Sequence, residues 1–185
     1  MPQISYSIEA RAYDIVGLAA HDFWVLRDEE SNVLGQLHGL ATNRKNHIQA
    51  IGRIGDKLKF YHFGPRAILF GLKPDYDLNY IKAKQKSMPV LAGNSHEVLS
   101  RWDIAVTALP YLNSLEIPYT PFAIIGLLPV NSNTAYTLLG ELMGIAVHKF
   151  SGYWQPGLRN IDKILTSSQL ETMRYRRQIA DIHVA

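Results

Sequence analysis

Pro129-Val130-Asn131-Ser132-Asn133-Thr134-Ala135-Tyr136-Thr137-Leu138-Leu139-Gly140-Glu141-Leu142-Met143-Gly144 is the stretch on which the reading of this chain turns. An apolar run, Ala123 to Leu128, breaks at Pro129, and a short polar cluster then opens an amphipathic helix that closes at Gly144. Ser132 therefore sits at or beside a helix N-terminus. Short oxygen-bearing side chains cap helix starts because they accept from the unpaired N–H groups of the first turn. Those N–H groups and the positive end of the helix dipole also favour an anion, which is what a reacting serine oxygen or a neighbouring oxyanion becomes. Ser132 is thus either a plain N-cap or a nucleophile, and only a base elsewhere in the chain favours the second.

The 185 residues suffice for one domain with a sizeable core, read here as a single domain over residues 1–185. Hydrophobic residues at 47% and charged residues at 19% are ordinary for a globular protein, and no apolar run is long enough to cross a bilayer, so a soluble chain is expected. The start, Met1-Pro2-Gln3-Ile4-Ser5-Tyr6, lacks the basic-then-apolar pattern of a secretory signal; the expected location is cytoplasmic, or exported by a route that needs no such peptide. Zero cysteines remove disulfides, thiolate metal sites and cysteine nucleophiles together, leaving Ser, Thr, Lys or a carboxylate for covalent chemistry. The formal charge of +3 is mild, and the basic clusters at Lys82–Lys86 and Arg174–Arg177 read as solvated faces, with no nucleic-acid partner expected.

Upstream, residues 4 to 13 alternate apolar and polar, as a half-buried strand does. His21 to Arg27 and Asn32 to His38 read as two further strands joined by the polar turn Asp28-Glu29-Glu30-Ser31. Closing that turn pairs Val25 with Leu34, Phe23 with Gln36 and His21 with His38, so that two imidazoles become same-face neighbours. A one-residue slip would separate them. Residues 39 to about 60 read as loops with room for one strand; Leu58 to Phe63 is strand-like, Ala67 to Phe70 a further candidate, and Pro74, Asp75 and Asp77 mark a turn. His47 and His62 lack a metal-ligand spacing and read as surface or packed histidines. A helix is predicted from about His96 to Leu109, capped by Asn94 or Ser95 and ended or kinked by Pro110. Tyr153 to Gly157 forms an aromatic turn, and Ser168 with Glu171 announces a last helix by the capping-box pattern.

Nucleophilic catalysis by serine needs a base in reach, a group that orients the base and donors for the oxyanion. His21 is the candidate base, His38 the orienting group, and Ser132 with the first N–H groups of its helix the nucleophile and part of the oxyanion site. No Gly-x-Ser-x-Gly elbow is present, which disfavours an alpha/beta-hydrolase.

A histidine opening one strand (His21-Asp22-Phe23-Trp24-Val25-Leu26), a second closing the next (Leu37-His38-Gly39) and a far-downstream helix start (Asn131-Ser132-Asn133) resemble the permuted papain-like proteins related to NlpC/P60 and lecithin:retinol acyltransferase. The similarity covers about a quarter of the chain. It departs from the family in having serine where the family has cysteine, and in a longer hairpin turn. The resemblance implies an α+β fold in which an antiparallel sheet packs against helices. It also implies a hydrolase or acyltransferase that attacks an amide or ester carbonyl, in cell-wall peptide or phospholipid, as a bacterial effector would. No cofactor and no metal are expected, and an inhibitor partner is not identifiable. Serine at this position fits a serine hydrolase, a chain that has lost catalysis, or a replaced cysteine. Two alternatives stand beside the enzyme: a non-catalytic binding module on the same scaffold, and metal-assisted hydrolysis by the histidine pair with Asp22. Adjacent residues such as His21 and Asp22, however, point to opposite faces of a strand.

Overall fold

The computed structural model describes residues 5–15, 17–65, 80–122 and 128–182, with side chains described up to residue 175. The expected strand at Ala67–Phe70, the turn at Pro74–Asp77, most of the apolar run from Ala123, and the side chains of Arg176 and Arg177 lie outside the described residues. Five strands, β1 (Tyr6–Ile15), β2 (Ala19–Arg27), β3 (Val33–Thr42), β4 (Lys57–Phe63) and β5 (Lys86–Gly93), form one antiparallel sheet in the order β4-β3-β2-β1-β5. Three helices, α1 (Ser95–Ser114), α2 (Ser132–Met143) and α3 (Ser167–Ile182), complete an α+β fold.

The helix α2 is buried on almost every side; of its twelve residues only Glu141 is not buried. It lies against β2 and β3 on one side and α1 on the other. Two glycines permit the close approach. A methyl group on Gly39 would overlap Ala135, and one on Gly140 would press on the Trp24 indole. Trp24 then stacks on Tyr136 at 4.4 Å between ring centres and donates its indole N–H to the Tyr136 carbonyl at 2.8 Å. Burying each such large apolar side chain contributes about 1.5–3 kcal/mol, so this contact fixes the helix firmly on the sheet.

The hairpin forms as expected, but in a different register. Val25 pairs with Gln36 and Trp24 with Leu37, two residues away from the expected pairing. The cause is local: Ser31 adopts a left-handed conformation (φ 66°), and a bulge between Leu26 and Arg27 absorbs an extra residue. A shift of two preserves the face, so His21 and His38 remain on one side of the sheet as diagonal neighbours rather than directly opposed ones.

Two other differences have simple reasons. The segment after the Lys82–Lys86 cluster is strand β5, an edge position where Pro89 and the exposed Lys86 are tolerated. The helix α1 runs through Pro110 to Ser114, because Leu109 and Leu112 are buried and Asn113 clasps the outer edge of β4. Asn113 accepts from the Phe60 N–H at 2.7 Å and donates to the Phe60 carbonyl at 2.9 Å. The last helix starts two residues earlier than its sequence signature, with Thr166 and Gln169 in place of Ser168 and Glu171. The Gln169 amide oxygen accepts from the Thr166 N–H at 2.9 Å, and the Gln169 N–H donates back to the Thr166 hydroxyl at 3.3 Å.

Candidate active site

The first turn of α2 is capped by Asn131, not by Ser132. The Asn131 side chain accepts from the Asn133 N–H at 2.9 Å, and the Asn131 N–H donates to the Thr134 hydroxyl at 3.2 Å. The plain-cap reading of Ser132 is therefore overturned, since the preceding residue already does that work. Ser132 is the first helical residue and is buried, and its hydroxyl and backbone N–H lie near the Tyr119 hydroxyl. Burial raises the Tyr119 pKa, and the nearby Ser132 hydroxyl and N–H work against that rise. Gly52 leaves the space for the Tyr119 ring, which any Cβ there would enter.

How α2 reaches this position follows from the sheet. The β2–β3 ladder stops at Trp24 and Leu37, and beyond it the two strands diverge. The β2 backbone groups left facing β3 are taken up by other segments. Asn133 accepts from the Asp22 N–H and donates to the Ala20 carbonyl, each at 3.1 Å, while the Ala20 N–H donates to the Trp154 carbonyl at 3.4 Å. Buried backbone groups must be paired, so the divergence is stable only with the α2 N-terminus in the fork. Residues 20 and 22 flank His21. The same side chain that satisfies them adjoins Ser132.

On the other face of β2, His21 meets His38 with Nε2 and Nδ1 2.9 Å apart. The outer nitrogen of His38, Nε2, lies 3.2 Å from the Gln36 side-chain oxygen, which can only accept. His38 therefore donates through Nε2 and accepts through Nδ1. His21 must donate through its own Nε2, and its Nδ1 carries a lone pair. That Nδ1 is buried and has no hydrogen-bond partner among the described residues. Phe23 stacks on His38 at 4.5 Å between ring centres, and Tyr80 covers both imidazoles at 5.3 and 4.6 Å. In this dry setting burial pushes His21 down from 6.5 to about 3, and holds His38 well below its usual value with His21 adding to the effect. Both rings are neutral at pH 7.

His21 and Ser132 line one cleft of about 420 Å³, together with Tyr119, Asn131, Asn133 and a largely apolar remainder. His38 stands behind His21, outside the lining. Of the three residues singled out in the sequence, the two imidazoles are in contact and the serine shares a cleft with the first of them. No hydrogen bond joins Ser132 to His21, whose free nitrogen is unpaired among the described residues. Gln36, Tyr119 and Asn133 escaped the sequence reading. Gln36 does carry a signal, lying two positions from His38 in a strand and so on the same face.

Asp22 points toward the helices. Its carboxylate accepts from the Gln155 side-chain amide, while Asp22 Oδ1 and Gln155 Oε1 are buried without partners. Burial raises the Asp22 pKa from 3.8 to about 7, and the Gln155 bond only partly opposes it. A carboxyl protonated on Oδ1 could complete a cyclic acid–amide pair with Gln155, giving both orphan oxygens a share in one proton. Asp22 does not join the histidine pair. Among the described residues no group of three or more His, Asp or Glu side chains is arranged to hold a metal ion. His47 is exposed, and His62 is buried beside the Trp102 indole N–H at 3.4 Å.

Comparison with protein-family models, with curated proteins and with solved structures finds no match. No helix among the described residues is long and apolar enough to cross a membrane.

Proposed function

We propose that the chain is an acyl hydrolase or acyltransferase in which Ser132 attacks an ester or amide carbonyl, on a scaffold of the permuted papain-like kind. One observation carries the reading: the Gln36–His38–His21 series leaves a lone pair on His21 Nδ1, which has no partner among the described residues, and the His21 ring lines the same cleft as a hydroxyl at a helix N-terminus. Gln36 fixes the tautomer of His38, and His38 fixes that of His21. In the reaction Ser132 Oγ passes its proton to His21 Nδ1 as the Oγ–carbon bond forms. The carbonyl electron pair moves to oxygen at the positive end of the α2 dipole, where the Ser132 N–H is the first-turn donor that Asn131 does not already hold. Collapse expels the alcohol or amine, which takes its proton from His21, and water or another acceptor then releases the acyl group. A base as weakly basic as His21 at rest becomes effective only when the developing oxyanion stands next to its new positive charge. The apolar cleft favours an acyl ester over a cell-wall peptide.

A non-catalytic module on the same scaffold is the second reading. It draws on the place of Ser132 beside Tyr119, with no hydrogen bond to His21. Covalent labelling by a fluorophosphonate separates the two. The catalytic reading expects an adduct in the wild type, none in Ser132→Ala, and labelling at least a hundredfold slower in His21→Ala. Equal labelling of wild type and Ser132→Ala, or of neither under prolonged exposure, favours the module.

A further inference from the structure

We infer that the mouth of the cleft docks on the surface of an anionic lipid bilayer. As a statement of substrate class this rests on the acyl-ester reading above, whereas the docking itself requires no chemistry at Ser132. The observation is a ring of large apolar side chains in solvent around one opening. Ile51, Phe122 and Trp154 line the cleft and are nonetheless 60%, 50% and 55% exposed. Phe122 and Trp154 stack with parallel rings 6.0 Å apart. Leu18, 76% exposed, joins them through the bond from the Trp154 N–H to the Leu18 carbonyl at 2.8 Å, and Ile54, 78% exposed, extends the side of Ile51. Soluble proteins seldom leave such a cluster in water without a partner.

Two features select lipid as that partner. The apolar groups come from separate loop tips: the β1–β2 turn, the loop after β3, the segment after α1 and the turn after α2. They project around a hole instead of forming the continuous face a protein partner would cover. The charge is also asymmetric. The segments that carry these side chains, 14–18, 43–55, 117–122 and 149–159, hold five exposed basic residues (Arg44, Lys45, Arg53, Lys149, Arg159) against one exposed acidic residue, Asp14; of the acids next to their ends, Asp56 is buried and Glu116 is paired with Lys59. An apolar tip on segments with a basic surplus, with a tryptophan at the boundary, matches the interface of an anionic membrane. Through that mouth an acyl chain would leave the bilayer into the apolar interior and bring its carbonyl toward Ser132.

The chain contains its own probe. Trp24 and Trp102 are fully buried, so a change in tryptophan emission on docking reports Trp154. The full-length protein is titrated with vesicles of phosphatidylcholine alone and of phosphatidylcholine with an equal part of phosphatidylglycerol. Emission and co-flotation are both read. The expected result is a blue shift and flotation with the anionic vesicles, at least tenfold weaker with phosphatidylcholine alone and in high salt. Ser132→Ala should bind as the wild type does. Leu18→Asp with Ile54→Asp, two exposed positions outside the cleft lining, should bind at least tenfold less tightly while fluorophosphonate labelling is unchanged. Trp154→Phe should float without a blue shift. Absence of flotation with both vesicles, equal flotation of the double variant, or dimerisation that shields Trp154 without lipid would overturn the inference. Flotation of a protein that no fluorophosphonate labels would keep the docking surface and sink the proposed hydrolysis instead.

Discussion

Replacing Asp22 by Asn should stabilise the protein at pH 8 and leave it unchanged near pH 4. Asp22 is raised from 3.8 to about 7 by burial, so the folded state holds a proton that the unfolded chain has already released. Its effect on stability therefore falls as pH rises: no cost below about pH 4, a growing one between 4 and 7, and the full cost above. A shift of roughly three units at about 1.4 kcal/mol per unit sets a ceiling near 4 kcal/mol, and relaxation around the site reduces it to about 2–3. Asparagine has the shape of the protonated acid and can make the same cyclic pair with Gln155, satisfying the two oxygens now without partners. The buried histidines have the opposite slope. His21 is depressed to about 3, so its contribution is lost as pH falls from about 6.5 toward 3, but that effect is common to both proteins and cancels in the comparison. Urea unfolding of wild type and Asp22→Asn at pH 4, 6 and 8 measures the difference. A gain that grows with pH supports the reasoning; a variant no more stable than wild type at pH 8, or a difference independent of pH, refutes it.

His21 and His38 should show no titration between pH 4.5 and 8 in imidazole carbon NMR shifts, with His21 as the Nε2–H tautomer; a transition near 6.5 for either ring would contradict the dry, neutral pair. Asn133→Ala leaves the Asp22 N–H and the Ala20 carbonyl unpaired, at about 1–3 kcal/mol each, and should cost about 2–4 kcal/mol in denaturant unfolding along with most of the labelling at Ser132. Gly39→Val should lower stability by about 1–3 kcal/mol or more, because the new side chain enters the space of Ala135, as a thermal melt would record. Ser132→Cys introduces the only thiol in the chain, so its alkylation by iodoacetamide is read without background; the helix N-terminus should bring its pKa roughly one unit below 8.5.

The parts of this molecule that depend on neighbours in sequence were legible. The polar residues after Pro129 supply the cap that starts α2, and Gly144 accepts the left-handed conformation that ends it, with φ 64°. The His21–His38 contact followed from strand alternation and survived a register error of two residues because the error was even. Whether Asn131 or Ser132 capped the helix could not be decided locally, since either side chain serves. What was hidden depends on distant segments meeting. The bonds of Asn133 to Ala20 and Asp22 span more than a hundred residues and exist because β3 leaves β2 at Trp24. Tyr119 and Gln155 carry no local pattern that distinguishes them from ordinary loop residues. The edge strand β5 was obscured by Lys86 and Pro89, which an edge tolerates and a central strand does not.

The proposed chemistry depends on one proton transfer, from Ser132 Oγ to His21 Nδ1, and a crystal structure of the fluorophosphonate-treated protein examines it directly. The expected result is phosphorus bonded to Ser132 Oγ, a phosphoryl oxygen beside the Ser132 N–H at the start of α2, and His21 Nδ1 within hydrogen-bond reach of the adduct. An unmodified Ser132, or an adduct that the His21 imidazole cannot approach, would contradict it.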